Sequence, residues 1–352
     1  MKKLILSFAI IVLTFAACQS DFDENTPNQA VVEIDMSDFY VYTSDDYSTA
    51  RTTTEAKVDK CFTMKVLNQQ LKDNPSLEKR MFDIEKHTRT LIANKGAANN
   101  KPGGGTTPPP PTPYVGLITI PVIVNILEDA AHPVTQAHIN SQIAILNDDF
   151  NNNNSRTTTV PTEFASLVAD ANITFTLAGV VRKVSSKTSW GTNNAMKYAS
   201  QGGIDATDPA NKLNIWVCEI GGGILGYAQF PGGTLATDGV VIGSDYFGEN
   251  AAGSVYGHGR TATHEVGHWL NLRHIWGDGR CRQDDFVADT PSSDGANYGC
   301  PTYPTINCQS ADMTMNYMDY TYDDCMYMFT LGQNDRMRTL FAAGGVRESF
   351  VQ

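Results

Sequence analysis

Four stretches rich in β-branched and aromatic residues are bounded by turn formers: VGLITIPVIVNIL (115–127), ITFTLAGVVRKV (173–184), LNIWVCEI (213–220) and GVVIGSDYF (239–247). Such runs suit a pleated, half-buried surface and predict strands. TQAHINSQIAILNDDF (135–150) has a different period, because Ile139, Ile143 and Leu146 fall on one side of a helix and Thr135 stands at its start. Upstream, Met81, Ile84, Thr88 and Leu91 recur at helical spacing, and Pro75 marks where a second helix can begin, so residues 63–94 predict a small helical module. KPGGGTTPPPPTP (101–113) joins flexible glycines to a stiff proline run, cannot pack a core, and reads as a linker. Residues 114–352 then form one domain. Its strands, one long helix, a second helix near residue 264 and an irregular tail predict an α+β architecture.

The N-terminus changes the picture of where the chain works. Two lysines precede an apolar run over residues 4–17, in the order of a secretory signal peptide. That run is too short to span a bilayer, which takes about 20 residues. Phe-Ala-Ala before Cys18 is similar to a bacterial lipobox, which would make Cys18, where the signal segment 1–18 ends, the lipidated N-terminus; the alternative is ordinary cleavage that discards Cys18. The net charge of -12 and the lack of clustered Lys and Arg exclude a nucleic-acid binder.

HEVGHWLNLRH (264–274) carries the chemistry. His264 and His268 stand one helical turn apart and can grip one ion from the same face, and Glu265 lies where a carboxylate reaches a water rather than the metal. His274 is the third candidate ligand, and three protein ligands leave a fourth zinc position open. To bring His274 back, the helix must stop near Asn271 and the chain must reverse, which predicts a left-handed conformation there. Asparagine is the best substitute for glycine in that role.

With NYMDY (316–320) downstream, the chain resembles the metzincin metallopeptidases, and among them the pappalysin-like family. The family usually has glycine where Asn271 stands. The resemblance implies a twisted mixed sheet, a backing helix, a zinc helix and an irregular disulfide-linked C-terminal subdomain. It also implies one catalytic zinc on His264, His268 and His274, Glu265 as general base and later proton donor, Met318 in a Met-turn beneath the metal, and Tyr320 stabilising the oxyanion. LNIWVCEIGGGILGYAQFP (213–231) resembles the strand and rim above the cleft, where an extended substrate pairs near residues 224–228; triglycine 221–223 can alternatively be a bulge or turn. KCFTMKVLNQQLKDNPSLEKRM (60–81) looks like an inhibitory prosegment within residues 19–100, with Cys61 as the latency ligand of zinc, although Phe62 replaces the family's usual glycine. The competing reading of Cys61 is a buried structural thiol.

Seven cysteines are sorted by the same comparison. Cys281, Cys300, Cys308 and Cys325 allow three pairings, and the resemblance implies Cys281 with Cys308 and Cys300 with Cys325. Disulfides point to an oxidising compartment: the bacterial cell envelope, the outer-membrane surface, or the medium. Within DDFVADTPSSD (284–294), Asp285 and Thr290 are candidate calcium ligands, against the alternative of a solvated acidic loop. Asp324 is a candidate base for the pocket that takes the residue after the scissile bond, favouring Arg or Lys. The expectation is a monomeric, latent zinc endopeptidase acting on extracellular proteins or peptides, with membrane contact only through the lipid. The alternative is a surface lipoprotein binding module with a structural or degenerate zinc site.

Overall fold

A computed structural model describes residues 33–43, 61–99, 110–154, 160–250 and 254–352. The signal peptide, Cys18 and most of the 101–113 linker lie outside the described residues. Residues from Ile34 to Gln352 form one compact unit.

Helices α1 (Thr63–Asp73) and α2 (Ser76–Asn99) form the upstream module, separated at Pro75. The sheet has the order β2-β1-β3-β5-β4, built from β1 (Ile118–Glu128), β2 (Ile173–Val184), β3 (Leu213–Cys218), β4 (Gly226–Ala228) and β5 (Val240–Gly243). Strands β2, β1, β3 and β5 run parallel, and β4 closes one edge antiparallel to β5. Strand β3 is buried at every position, as expected for a central strand covered on both faces.

Two of the predicted strands end earlier than the apolar runs that suggested them. The 239–247 run leaves the sheet at Gly243 and turns as a 3-10 helix over Ser244–Tyr246, and β3 stops at Cys218. Apolar burial continues through these turns, so hydrophobicity alone extends the prediction. Helix α3 (Gln136–Phe150) begins at Thr135, whose hydroxyl accepts from the His138 amide while the His138 ring accepts from the Thr135 amide. It packs on β2 and on α4 (Arg260–Trp269), and α4 also rests on β4 and β5. After α4 the chain has little regular structure beyond a short β6–β7 pair (Ile306–Asn307 and Ser310–Ala311) and α5 (Leu331–Thr339). Disulfides Cys281–Cys308 and Cys300–Cys325 tie this region together. Among the described residues no helix is long and apolar enough to cross a membrane.

Candidate metal centre and active site

Helix α4 presents His264 and His268 on one buried face and ends through its backbone. The Asn271 amide donates to the His268 carbonyl at 2.9 Å and the Leu272 amide to the Gly267 carbonyl at 2.9 Å. These paired bonds are a Schellman stop, which needs a left-handed residue between them. Asn271 supplies it at φ 72°. The reversal carries His274 back, so its Nε2 lies 3.2 Å from that of His268, which is 3.1 Å from that of His264.

The other ring nitrogens fix the chemistry. His264 Nδ1 faces the Tyr317 carbonyl at 2.7 Å, His268 Nδ1 faces the Leu272 carbonyl at 2.8 Å, and His274 Nδ1 faces the Asp278 carboxylate. Each Nδ1 therefore carries the proton and each Nε2 turns a lone pair inward. Three lone pairs converging in a buried space repel one another unless a cation sits between them. Tetrahedral zinc with bonds of about 2.0–2.1 Å sets its nitrogens roughly 3.3 Å apart, so the donor set fits zinc. Burial, then the neighbouring His274 and His264, hold His268 well below the usual histidine range, in the neutral form a ligand requires. Met318 lies against the zinc helix from below: a Cβ at Gly267 would come within 2.5 Å of its Sδ, so the small residue inside HEVGH makes room for the methionine.

Cys61 Sγ joins the three histidines in a group whose ligand atoms all lie within 4.8 Å of one another. The backbone places it there. Cys61 bridges to Gly226 of β4 in parallel sense, and the Phe62 amide donates to the Gly226 carbonyl at 3.0 Å. Tyr320 donates its hydroxyl to the Cys61 carbonyl at 3.2 Å. Glu265 is fully buried, and its Oε2 accepts from the Thr63 hydroxyl at 2.7 Å and from the Cys61 thiol at 3.5 Å. Burial pushes Glu265 up to about 8, against those two hydrogen bonds, which favour the anion. The triglycine forms a 3-10 turn (Gly221–Gly223), and the edge facing Cys61 is β4 itself.

Residues 204–342 match the family Peptidase_M43, described as pregnancy-associated plasma protein-A. A promirolysin mutant from Tannerella forsythia is 38% identical and superposes with a TM-score of 0.70, covering 83% of this chain and 96% of that one. The chain belongs to the pappalysin-like metzincins. This member of the family is a zinc metalloendopeptidase. It is also similar to mature mirolysin of T. forsythia in complex with a cleaved peptide, with 43% identity, a TM-score of 0.65, and coverage of 67% of this chain and 96% of that one. An extracellular metalloprotease of Pyricularia oryzae is 35% identical over 221 residues, which are 59% of this chain and 68% of that protein.

The structure sets Asp324 apart from the pocket beside the candidate metal centre. The pocket beside His264 and Glu265 is lined by Leu225, Tyr256, Thr261 and Met326, with Arg260 and Asp323 among its polar groups. Asp324 is not in this lining; its side chain is 65% exposed and stands 3.7 Å from His258. The Asp323–Cys325 segment turns as a 3-10 helix, which sends neighbouring side chains in different directions and puts Asp323 on the buried side. Thr63 was not marked by any sequence signal, because its partners Glu265 and Ala228 are remote in the chain. Asp285 and Thr290 do meet, at 2.8 Å, with Asp285 buried.

Proposed function

We propose that this chain is a secreted endopeptidase made as a latent precursor, in which His264, His268 and His274 hold the zinc and residues 19–100 act as the prosegment. The observation that carries this reading is the convergence of three Nε2 lone pairs beside the buried Glu265 carboxylate. Zinc, when bound, supplies Lewis acidity toward a water and the scissile carbonyl. Glu265 takes the proton of that water as it attacks and later passes it to the leaving amine. Tyr320, whose hydroxyl now meets the Cys61 carbonyl, donates instead to the substrate carbonyl oxygen as negative charge develops. Strand β4 offers its backbone to an extended peptide, the place Cys61 and Phe62 now occupy.

Latency follows from the same contacts: Cys61 fills the position the water needs. Maturation then cuts within or near the 101–113 linker. The pocket carboxylate of Asp323 replaces Asp324 as the group favouring Arg or Lys after the scissile bond. Asp285 and Thr290 remain candidate calcium ligands, and Cys18 the candidate lipid anchor at a bacterial surface. Glu265→Gln tests the mechanism. The mature variant should keep its zinc by elemental analysis and lose proteolysis by roughly a hundredfold or more; undiminished turnover overturns the assignment. Cleavage-site profiling of the mature enzyme tests the pocket, and a profile without basic residues after the cut removes Asp323 from that role.

A further inference from the structure

We propose that Thr63 is a second, metal-independent latency residue, whose hydroxyl captures the Glu265 carboxylate while Cys61 covers the metal position. The inference rests on the reading of Glu265 as general base. Thr63 is fully buried. Its Oγ1 accepts from the Ala228 amide of β4 at 2.7 Å and lies 2.7 Å from Glu265 Oε2. A hydroxyl has a single proton. With a backbone donor already pointing at the oxygen, that proton is directed onto the carboxylate. Thr63 is also the first residue of α1, so the helix start fixes where the hydroxyl sits.

A general base acts only if its oxygen can reach the proton it removes. Here one Glu265 oxygen is engaged at short distance by Thr63. One tripeptide meets every part of the site: the histidines by the Cys61 thiol, Tyr320 by the Cys61 carbonyl, β4 by the Phe62 amide, and Glu265 by the Thr63 hydroxyl at 2.7 Å, with the Cys61 thiol farther off at 3.5 Å. The contact to Glu265 needs no metal, so part of the inhibition should persist when the thiol is removed.

The full-length precursor is the material for the test. Hydrogen bonds to charged groups are worth roughly a ten- to hundredfold change in an equilibrium. Thr63→Val, which keeps the shape and removes the proton, should raise early peptide cleavage and self-processing by about tenfold or more, while Thr63→Ser stays within about twofold of the parent. Cys61→Ala should keep residual latency that the double variant Cys61→Ala, Thr63→Val loses. The second readout is thermal: Thr63→Val should lower the precursor's Tm more in the parent than in a Glu265→Ala background, where only the loss of the Ala228 amide contact remains. Unchanged latency in Thr63→Val overturns the proposal, and so does an equal Tm shift in both backgrounds, which would make Thr63 a packing residue. If the valine form does not accumulate, Thr63→Ala carries the same comparison. Failure of the base assignment is separable: mature Glu265→Gln would stay active while the thermal coupling between positions 63 and 265 remained.

Discussion

Asn271 shows how one residue can be required by its backbone and indifferent in its side chain. Its φ of 72° is demanded by the helix stop, while its buried Nδ2 has no hydrogen-bond partner among the described residues. Glycine should therefore be accepted, within about 1 kcal/mol of the parent, because it reaches positive φ without strain. Valine should destabilise the protein by about 1–2 kcal/mol or more, from the left-handed penalty on a side chain with a branched Cβ. Thermal melts of both variants, together with zinc retention against a chelator, measure the difference. An Asn271→Val protein as stable as the parent would mean that the turn relaxes and His274 is placed by something else. The three histidines were legible as a candidate ligand set because their spacing is local: i, i+4 on a helix, then a turn. The partners of their outer nitrogens were not all legible, since the Tyr317 carbonyl that holds His264 is 53 positions away.

Helix α2 is joined to the catalytic domain through α5 by a buried charge cluster. Glu85 meets Arg336 at 2.5 Å and Arg89 at 2.8 Å, and both Glu85 and Arg336 are 2% exposed. Burial pushes the Glu85 carboxyl up, but the Arg336 charge and the hydrogen bonds from Arg336 and Arg89 outweigh it and hold it down to about 2. The folded value lies below the ordinary value of 4.5, so the docked form binds fewer protons than the released one. This contribution is fully present above about pH 4.5 and is lost as pH falls toward 2. The precursor's Tm should decline through that window, and Glu85→Gln should flatten this part of the profile. The same variant leaves Arg336 buried without its charge partner and should cost about 3–5 kcal/mol of stability. Its latency, measured at neutral pH, should weaken along with its stability. The helical period of Met81, Ile84, Thr88 and Leu91 revealed α2. It could not reveal that Glu85, a charged residue within that period, faces inward.

Across the whole molecule, the region between the zinc helix and α5 has few strands to hold it. Loops closed by bridges of sequence separation 27 and 25 take that part. Loop-closure entropy for such lengths gives about 3–4 kcal/mol per bridge. The segment they confine includes Tyr317, Met318 and Tyr320, so its order bears directly on the centre. Reduction, or paired replacement of Cys300 and Cys325, should lower the Tm and reduce zinc retention together. Loss of stability with undisturbed metal affinity would show that the Met-turn holds its shape without the bridges.

Sequence determined what local geometry can encode. The helices were readable because burial on one face imposes a period, the strands because runs of β-branched residues bounded by turn formers suit a sheet, and the candidate ligand set because three histidines around one turn need only helical spacing and a reversal. HEVGHWLNLRH and NYMDY also made the family resemblance readable. Tertiary structure set Asp323 in the pocket lining beside Asp319 and left Asp324 exposed, since a 3-10 turn separates the two neighbours. It alone placed Thr63 on Glu265, 202 positions away, and Glu85 on Arg336, 251 positions away. Periodicity reports which face of an element is buried. It says nothing of which remote polar group waits there, and those remote pairs bring Thr63 onto Glu265 and α2 onto α5.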